Sequence, residues 1–238
     1  MAFQPGDLYG QQSQGQYGQQ EQAGAYAAKT FLWMFLGLLV TFGVAVASYT
    51  ANVFMFFYTV PGGYVILTVA ELAVVLILSA RLQKLSVGGA MALFFVYAVL
   101  NGVVFSTLFW AFDVATLILV FGVTALYFGG LALYGYFTKA DLSRLRPILV
   151  GGLIFLLVAG ILSLFLPLGS FERIYCLIGI AVFLGFTAYD TQKIRTFYAA
   201  FSYDQALLQK ASIYAALQLY LDFVNLFLYL LRFLGKRK

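Results

Sequence analysis

Apolar residues gather into seven runs, near 29–54, 62–80, 87–110, 114–137, 147–167, 172–192 and 212–234. Each holds about 20 residues, enough for a helix rising about 1.5 Å per residue to cross roughly 30 Å of hydrocarbon. Polar or helix-breaking residues fall between them: Pro61-Gly62-Gly63, Arg81 to Lys84, Asp113, Lys139 to Pro147, Pro167 to Gly169, and Lys193 to Lys210. The two-residue alternation of a membrane β-barrel is missing. Gly151-Gly152, Gly160, Gly179 and Gly185 lie inside the runs and allow helices to approach closely. The pattern predicts an all-α integral membrane fold with seven transmembrane helices over residues 26–238. Residues 1–25 are rich in Gln, Gly and Tyr and lack hydrophobic periodicity, which predicts a disordered cytoplasmic tail. No basic segment precedes an apolar core and a small-residue cleavage site, so a cleaved signal peptide is not expected.

The last run is unlike the others. Residues 211–235 read ASIYAALQLYLDFVNLFLYLLRFLG, with a single acid, Asp222, near the centre. Gln218, Asp222, Asn225 and Tyr229 are spaced i, i+4, i+7, i+11 and share one helical face. A carboxylate in lipid costs about 2.5 to 3.5 kcal/mol on insertion scales, so it turns toward protein or a water-filled cavity. The rest of the chain is therefore expected to enclose this helix.

Composition strengthens the membrane reading. The chain is 63% hydrophobic and 10% charged, with a mean hydropathy of +0.93; soluble domains run nearer about 45–50% apolar and 25% charged. The net charge of +5 sits in loops and at the C-terminus, which fits a cytoplasmic-side bias rather than nucleic-acid binding. With a cytoplasmic N-terminus, that side receives Lys29, Arg81, Lys84, Lys139, Arg144, Arg146, Lys193, Arg195 and Lys210. The other side receives Arg173, Arg232, Lys236, Arg237 and Lys238. A re-entrant last stretch would return the basic tail to the cytoplasm; its spanning length and lack of internal Gly or Pro favour a full crossing. The single cysteine, Cys176, permits no intrachain disulfide and reads as a small buried hydrophobe. The absence of histidine excludes His-built zinc sites, Ser-His-Asp triads and His-based pH switches.

Three acids lie in or near apolar runs: Glu71, Asp190 and Asp222. Asp190, in GFTAYDTQKIR, is expected near the cytoplasmic boundary, paired either with a nearby base or with Arg81, which ends a span on the same side. Glu71 shares a face with Tyr64 and Thr68, and Asn101 follows Tyr97 by one turn; both read as supporting polar residues inside the bundle. Two carboxylates close together do not both ionise cheaply, so they share a proton. Their oxygens also suit hard cations such as Ca²⁺, so proton and metal compete. Depth is the difficulty: Asp222 lies midway between Lys210 and Arg232, and meets Asp190 only if the last helix projects into the cytoplasm or the spans tilt.

At LYLDFVNLFLYLLRFLG and AYDTQKI the chain resembles the Bax-inhibitor, or transmembrane Bax inhibitor motif, family in its bacterial branch. Glu71 and the first-helix run AAKTFLWMFLGLLVTFGVA agree, and the resemblance covers about residues 26 to 236. It implies seven helices with the last one central and wrapped by the other six. It also implies a pH-sensitive calcium leak that uses an aspartate on each of the last two helices as pH sensor and ion site, here Asp190 and Asp222. An arginine of the second helix, here Arg81, is implied to pair with the sixth-helix aspartate as a gate. The segment between the aspartates departs from the resemblance in being several residues longer than in one bacterial channel of the family, a departure that would lengthen the cytoplasmic ends of both helices and leaves the geometry of the pair open.

The leading expectation is a passive, pH-gated Ca²⁺ leak in a bacterial inner membrane. Its partners are lipid, Ca²⁺ and H⁺, with no cofactor and no nucleic acid. The alternative is a regulatory protein that modulates a membrane protease or another membrane partner, the acids being structural. A proton-coupled transporter ranks lower, because paired Gly/Pro-interrupted helices in two repeated halves are lacking. An enzyme is not expected: the aspartates lack the GxGD pattern of intramembrane proteases, and no P-loop, dinucleotide fingerprint or CxxC is visible.

Overall fold

The computed structural model describes residues 5–81, 84–163, 165 and 169–236, with side chains from Glu21 onward. The Pro167 break and the side chains of Tyr64 and Thr68 lie outside the described residues. The chain folds as helices α1 (Pro5–Thr50), α2 (Val53–Thr59), α3 (Gly63–Arg81), α4 (Val87–Phe105), α5 (Leu108–Ala111), α6 (Val114–Phe137), α7 (Arg146–Leu162), α8 (Glu172–Phe201) and α9 (Gln205–Leu234). No strand occurs among the described residues. Six helical stretches are long and apolar enough to cross a bilayer: Glu21–Thr50, Val87–Ala111, Val114–Phe137, Leu142–Leu162, Glu172–Phe201 and Gln205–Leu234. The shorter α3, apolar over Val65–Leu78, completes the set of seven.

Local chemistry sets the boundaries. Asn52 in the left-handed conformation separates α1 from α2, and Gly62 at φ 76° turns the chain into α3. Ser86 caps α4 by accepting from the Gly89 amide at 3.0 Å. Asp204 caps α9 by accepting from the Ala206 and Leu207 amides at 2.9 and 3.0 Å.

Helix α9 is the core of the molecule. Leu217, Leu219, Tyr220 and Leu226 have essentially no exposed surface. It packs directly against α1, α4, α6 and α8, while α3 closes the shell from outside on α4 and α7 does so on α8. The outer helices turn residues such as Leu126, Ile148 and Ile154 outward, as a lipid-facing surface requires. Close crossings rely on small residues: a Cβ at Gly135 of α6 would strike the Ala188 carbonyl of α8, and one at Gly179 of α8 would strike the Tyr229 ring of α9.

Two sequence expectations change. Glu21–Ala25 are not an unstructured tail but belong to α1, and Gln22 accepts from the Tyr198 hydroxyl at 2.9 Å. These residues continue the helix in register with buried Tyr26, Ala27 and Thr30, so ordering them extends a packed face. Second, α8 and α9 run well beyond 172–192 and 212–234, and only Ser202–Asp204 separate them. Lys193 and Arg195, read as loop punctuation, lie on the helix itself.

Candidate functional site

The extended α8–α9 pair removes the depth problem. Lys193 donates to Gln218 at 3.3 Å, and the rings of Phe197 and Tyr214 lie 6.2 Å apart. Stepping back along these antiparallel helices by one turn brings Asp190 level with residues 221–222. Asp190 and Asp222 are both buried and within electrostatic reach of each other. Asp190 Oδ1 and Asp222 Oδ2 are each buried without a hydrogen-bond partner. Unsatisfied buried oxygens are costly; Glu71 Oε1 is another, but Asp190 and Asp222 are the two such carboxylates that interact electrostatically with each other.

The counter-charge is Lys193, not Arg81. Lys193 Nζ lies 3.7 Å from Asp190 Oδ1, one turn away on α8. Three rings hold the ammonium: Tyr189 at 5.6 Å, Phe197 at 5.3 Å and Tyr214 at 5.9 Å. Arg81 is exposed at the end of α3 and makes no ion pair with Asp190, which corrects the expected cross-helix pair. The reason is placement: α3 packs on α4 at the periphery, whereas Lys193 shares Asp190's own helix face. Arg146, opening α7, adds a second positive charge within electrostatic reach of Asp190. Nearby, Gln192 fastens the α6–α7 loop to α8, accepting from the Leu142 amide at 3.0 Å and donating to the Ala140 carbonyl at 2.7 Å.

The remaining candidates are distributed around α9. Gln218 joins the acid pair through Lys193, and Asn225 donates to the Leu221 carbonyl of its own helix at 2.8 Å. Tyr229 contacts the Tyr175 hydroxyl at 3.1 Å and stacks on Phe183. Glu71 and Asn101 belong to a different cluster. Asn101 donates to the Tyr97 carbonyl at 3.4 Å, and Glu71 is within electrostatic reach of Tyr97 and Tyr220. Tyr220 is two residues from Asp222, hence about 200° around the helix, so this cluster occupies the opposite side of α9. Its anchor is Thr41 of α1, 2.7 Å from the Tyr220 hydroxyl and donating to the Ala98 carbonyl at 2.9 Å.

Sequence reasoning missed the Thr41–Tyr220 anchor, for which no local pattern exists, and the Glu172–Arg232 ion pair at 2.7 Å, which joins α8 to α9 at their other end. Among the described residues no group of three or more Asp, Glu or Cys side chains is placed to hold a metal ion. Asp190 and Asp222 supply two carboxylates, fewer than such a group needs.

The class follows from these features: a polytopic helical membrane protein whose enclosed C-terminal helix carries a buried acid beside a second acid on the preceding helix. Residues 24–238 match the family described as inhibitor of apoptosis-promoting Bax1. The inner membrane protein YbhL of Escherichia coli K12 is 41% identical over 215 residues, spanning 90% of this chain and 92% of that one. A Deinococcus radiodurans protein is 39% identical over 212 residues, with 89% and 90% covered. A membrane protein of Streptococcus pyogenes is 33% identical over 168 residues, with 71% and 72% covered. The chain belongs to the Bax inhibitor family.

Proposed function

We propose that this protein is a passive, pH-sensitive Ca²⁺ leak of a bacterial inner membrane, with its N-terminus and the α8–α9 turn in the cytoplasm. The observation that carries this reading is the buried pair of carboxylates, Asp190 and Asp222, each with an oxygen lacking a hydrogen-bond partner. In a protein-lined site they attract a hard cation, and a proton taken by either one weakens that attraction. Lys193 supplies a tethered positive charge that holds the place while no cation is bound. Calcium and protons are the substrates, and no covalent chemistry is assigned to any residue. The inner-membrane placement is supported by the name of the Escherichia coli relative, and the orientation by the basic residues Arg81, Lys84, Lys139, Arg144, Arg146, Lys193 and Arg195 on one side.

Reconstitution into liposomes with an internal Ca²⁺ indicator tests the reading. Wild-type protein should pass Ca²⁺ down its gradient, and Asp190→Asn and Asp222→Asn should each reduce the rate several-fold. Absence of flux in folded wild-type protein would move the assignment to a regulatory role toward a membrane partner.

A further inference from the structure

Helices α1 and α6 both lean on α9 but do not pack against each other along their length. The cleft between them consists of two continuous apolar cavities of about 320 and 640 Å³, which share Phe35, Leu38, Phe121 and Phe223. On α1 its wall runs from Gly24 to Ala45, which at about 1.5 Å per residue approaches the full hydrocarbon thickness. Its floor is the central helix, through Phe223 and Phe227. Thr41, a polar residue of this wall, already uses its hydroxyl on Ala98 and Tyr220. The width is set by Ala27, Ala28, Ala125 and Gly129, where larger side chains would close it.

We propose that this cleft binds one anionic phospholipid, with an acyl chain along α9 and the phosphate at Arg195. Two observations select this occupant. At the end near the α8–α9 turn, Tyr136 reaches across to α1, its hydroxyl 3.9 Å from where a Gly24 side chain would begin. A partner helix about 10 Å wide does not fit beneath that bridge, whereas a flexible chain does. Arg195 is held on the same tyrosine, donating to its carbonyl at 3.1 Å with the guanidinium 6.0 Å from the ring. It is exposed, beside the tyrosine that lines this end of the cleft, with donors suited to a phosphate.

The test is native mass spectrometry of the full chain released from nanodiscs holding equal amounts of phosphatidylglycerol and phosphatidylcholine. Wild type should retain one phosphatidylglycerol. Gly129→Leu, which fills the cleft from a position with open space around it, should lower retention several-fold; Ala125→Leu is the second filling variant. Gly130→Leu, equally open but outside the cleft lining, should not. Arg195→Gln should keep a bound lipid but lose the preference for phosphatidylglycerol. Equal retention by wild type and both filling variants, or a photo-crosslinker at residue 129 capturing a protein rather than lipid, overturns the proposal.

Discussion

On the proposed reading, Lys193 governs the access of a cation to the acid pair. Its ammonium sits beside Asp190, is accepted by Gln218 and is ringed by three aromatic side chains. A divalent cation reaching Asp190 has to displace it. A half-wet pair of this kind is worth about 1 kcal/mol, roughly a fivefold change in an equilibrium constant. Lys193→Met should therefore raise apparent Ca²⁺ affinity about fivefold at neutral pH, read as the Ca²⁺ concentration giving half-maximal flux; an unchanged value would remove Lys193 from the site. On the other side of α9, Tyr220→Phe removes the hydroxyl bonded to Thr41 and should cost about 0.6 to 1.5 kcal/mol in detergent unfolding, with flux retained. Asp222 was legible in the sequence because a lone acid in an apolar run has one economical reading. Lys193 was visible as a nearby base, but choosing it over Arg81 depends on where α3 packs, which local pattern does not encode.

Helix pairing converts those residues into a site. The cap at Asp204 and the continuation of α8 to Phe201 give two long antiparallel helices, and their register brings the acids level. The boundaries were hard to read because Gln192, Lys193 and Arg195 look like loop residues, yet each has a helical role through side-chain contacts to neighbouring elements. The spans themselves were legible, since a helix in lipid needs an unbroken apolar run. The α6–α8 crossing at Gly135 is the most sensitive point of this framework, because a side chain there meets backbone rather than a movable group. Gly135→Leu should cost about 3 kcal/mol in detergent unfolding, the upper end for overpacking. Gly122→Leu, with open space around it, should leave the transition within about 0.5 kcal/mol.

At the scale of the whole molecule, orientation decides which face of the membrane the α8–α9 turn meets. A probe at Tyr203, exposed in the α8–α9 turn, reads it: in a Cys176→Ala background, Tyr203→Cys should label from the cytoplasmic side alone. The α6–α7 loop on the same side is not expected to confuse pH experiments. Its Asp141 is bonded by the Ser143 side chain and accepts from the Ser143 amide at 3.0 Å; these bonds hold its carboxyl below the usual range, so the cap persists into mild acid. The acid pair is different: Asp190 Oδ1 and Asp222 Oδ2 are buried without a hydrogen-bond partner, and the charge beside Asp190 is Lys193 at 3.7 Å. The most direct measurement is half-saturating Ca²⁺ for liposome flux, read from neutral to mildly acidic pH. Competition for shared oxygens predicts that wild type needs more Ca²⁺ as the pH falls, while Asp190→Asn and Asp222→Asn show a flat, weaker dependence. The same slope in all three proteins would contradict a proton and a cation meeting at this pair.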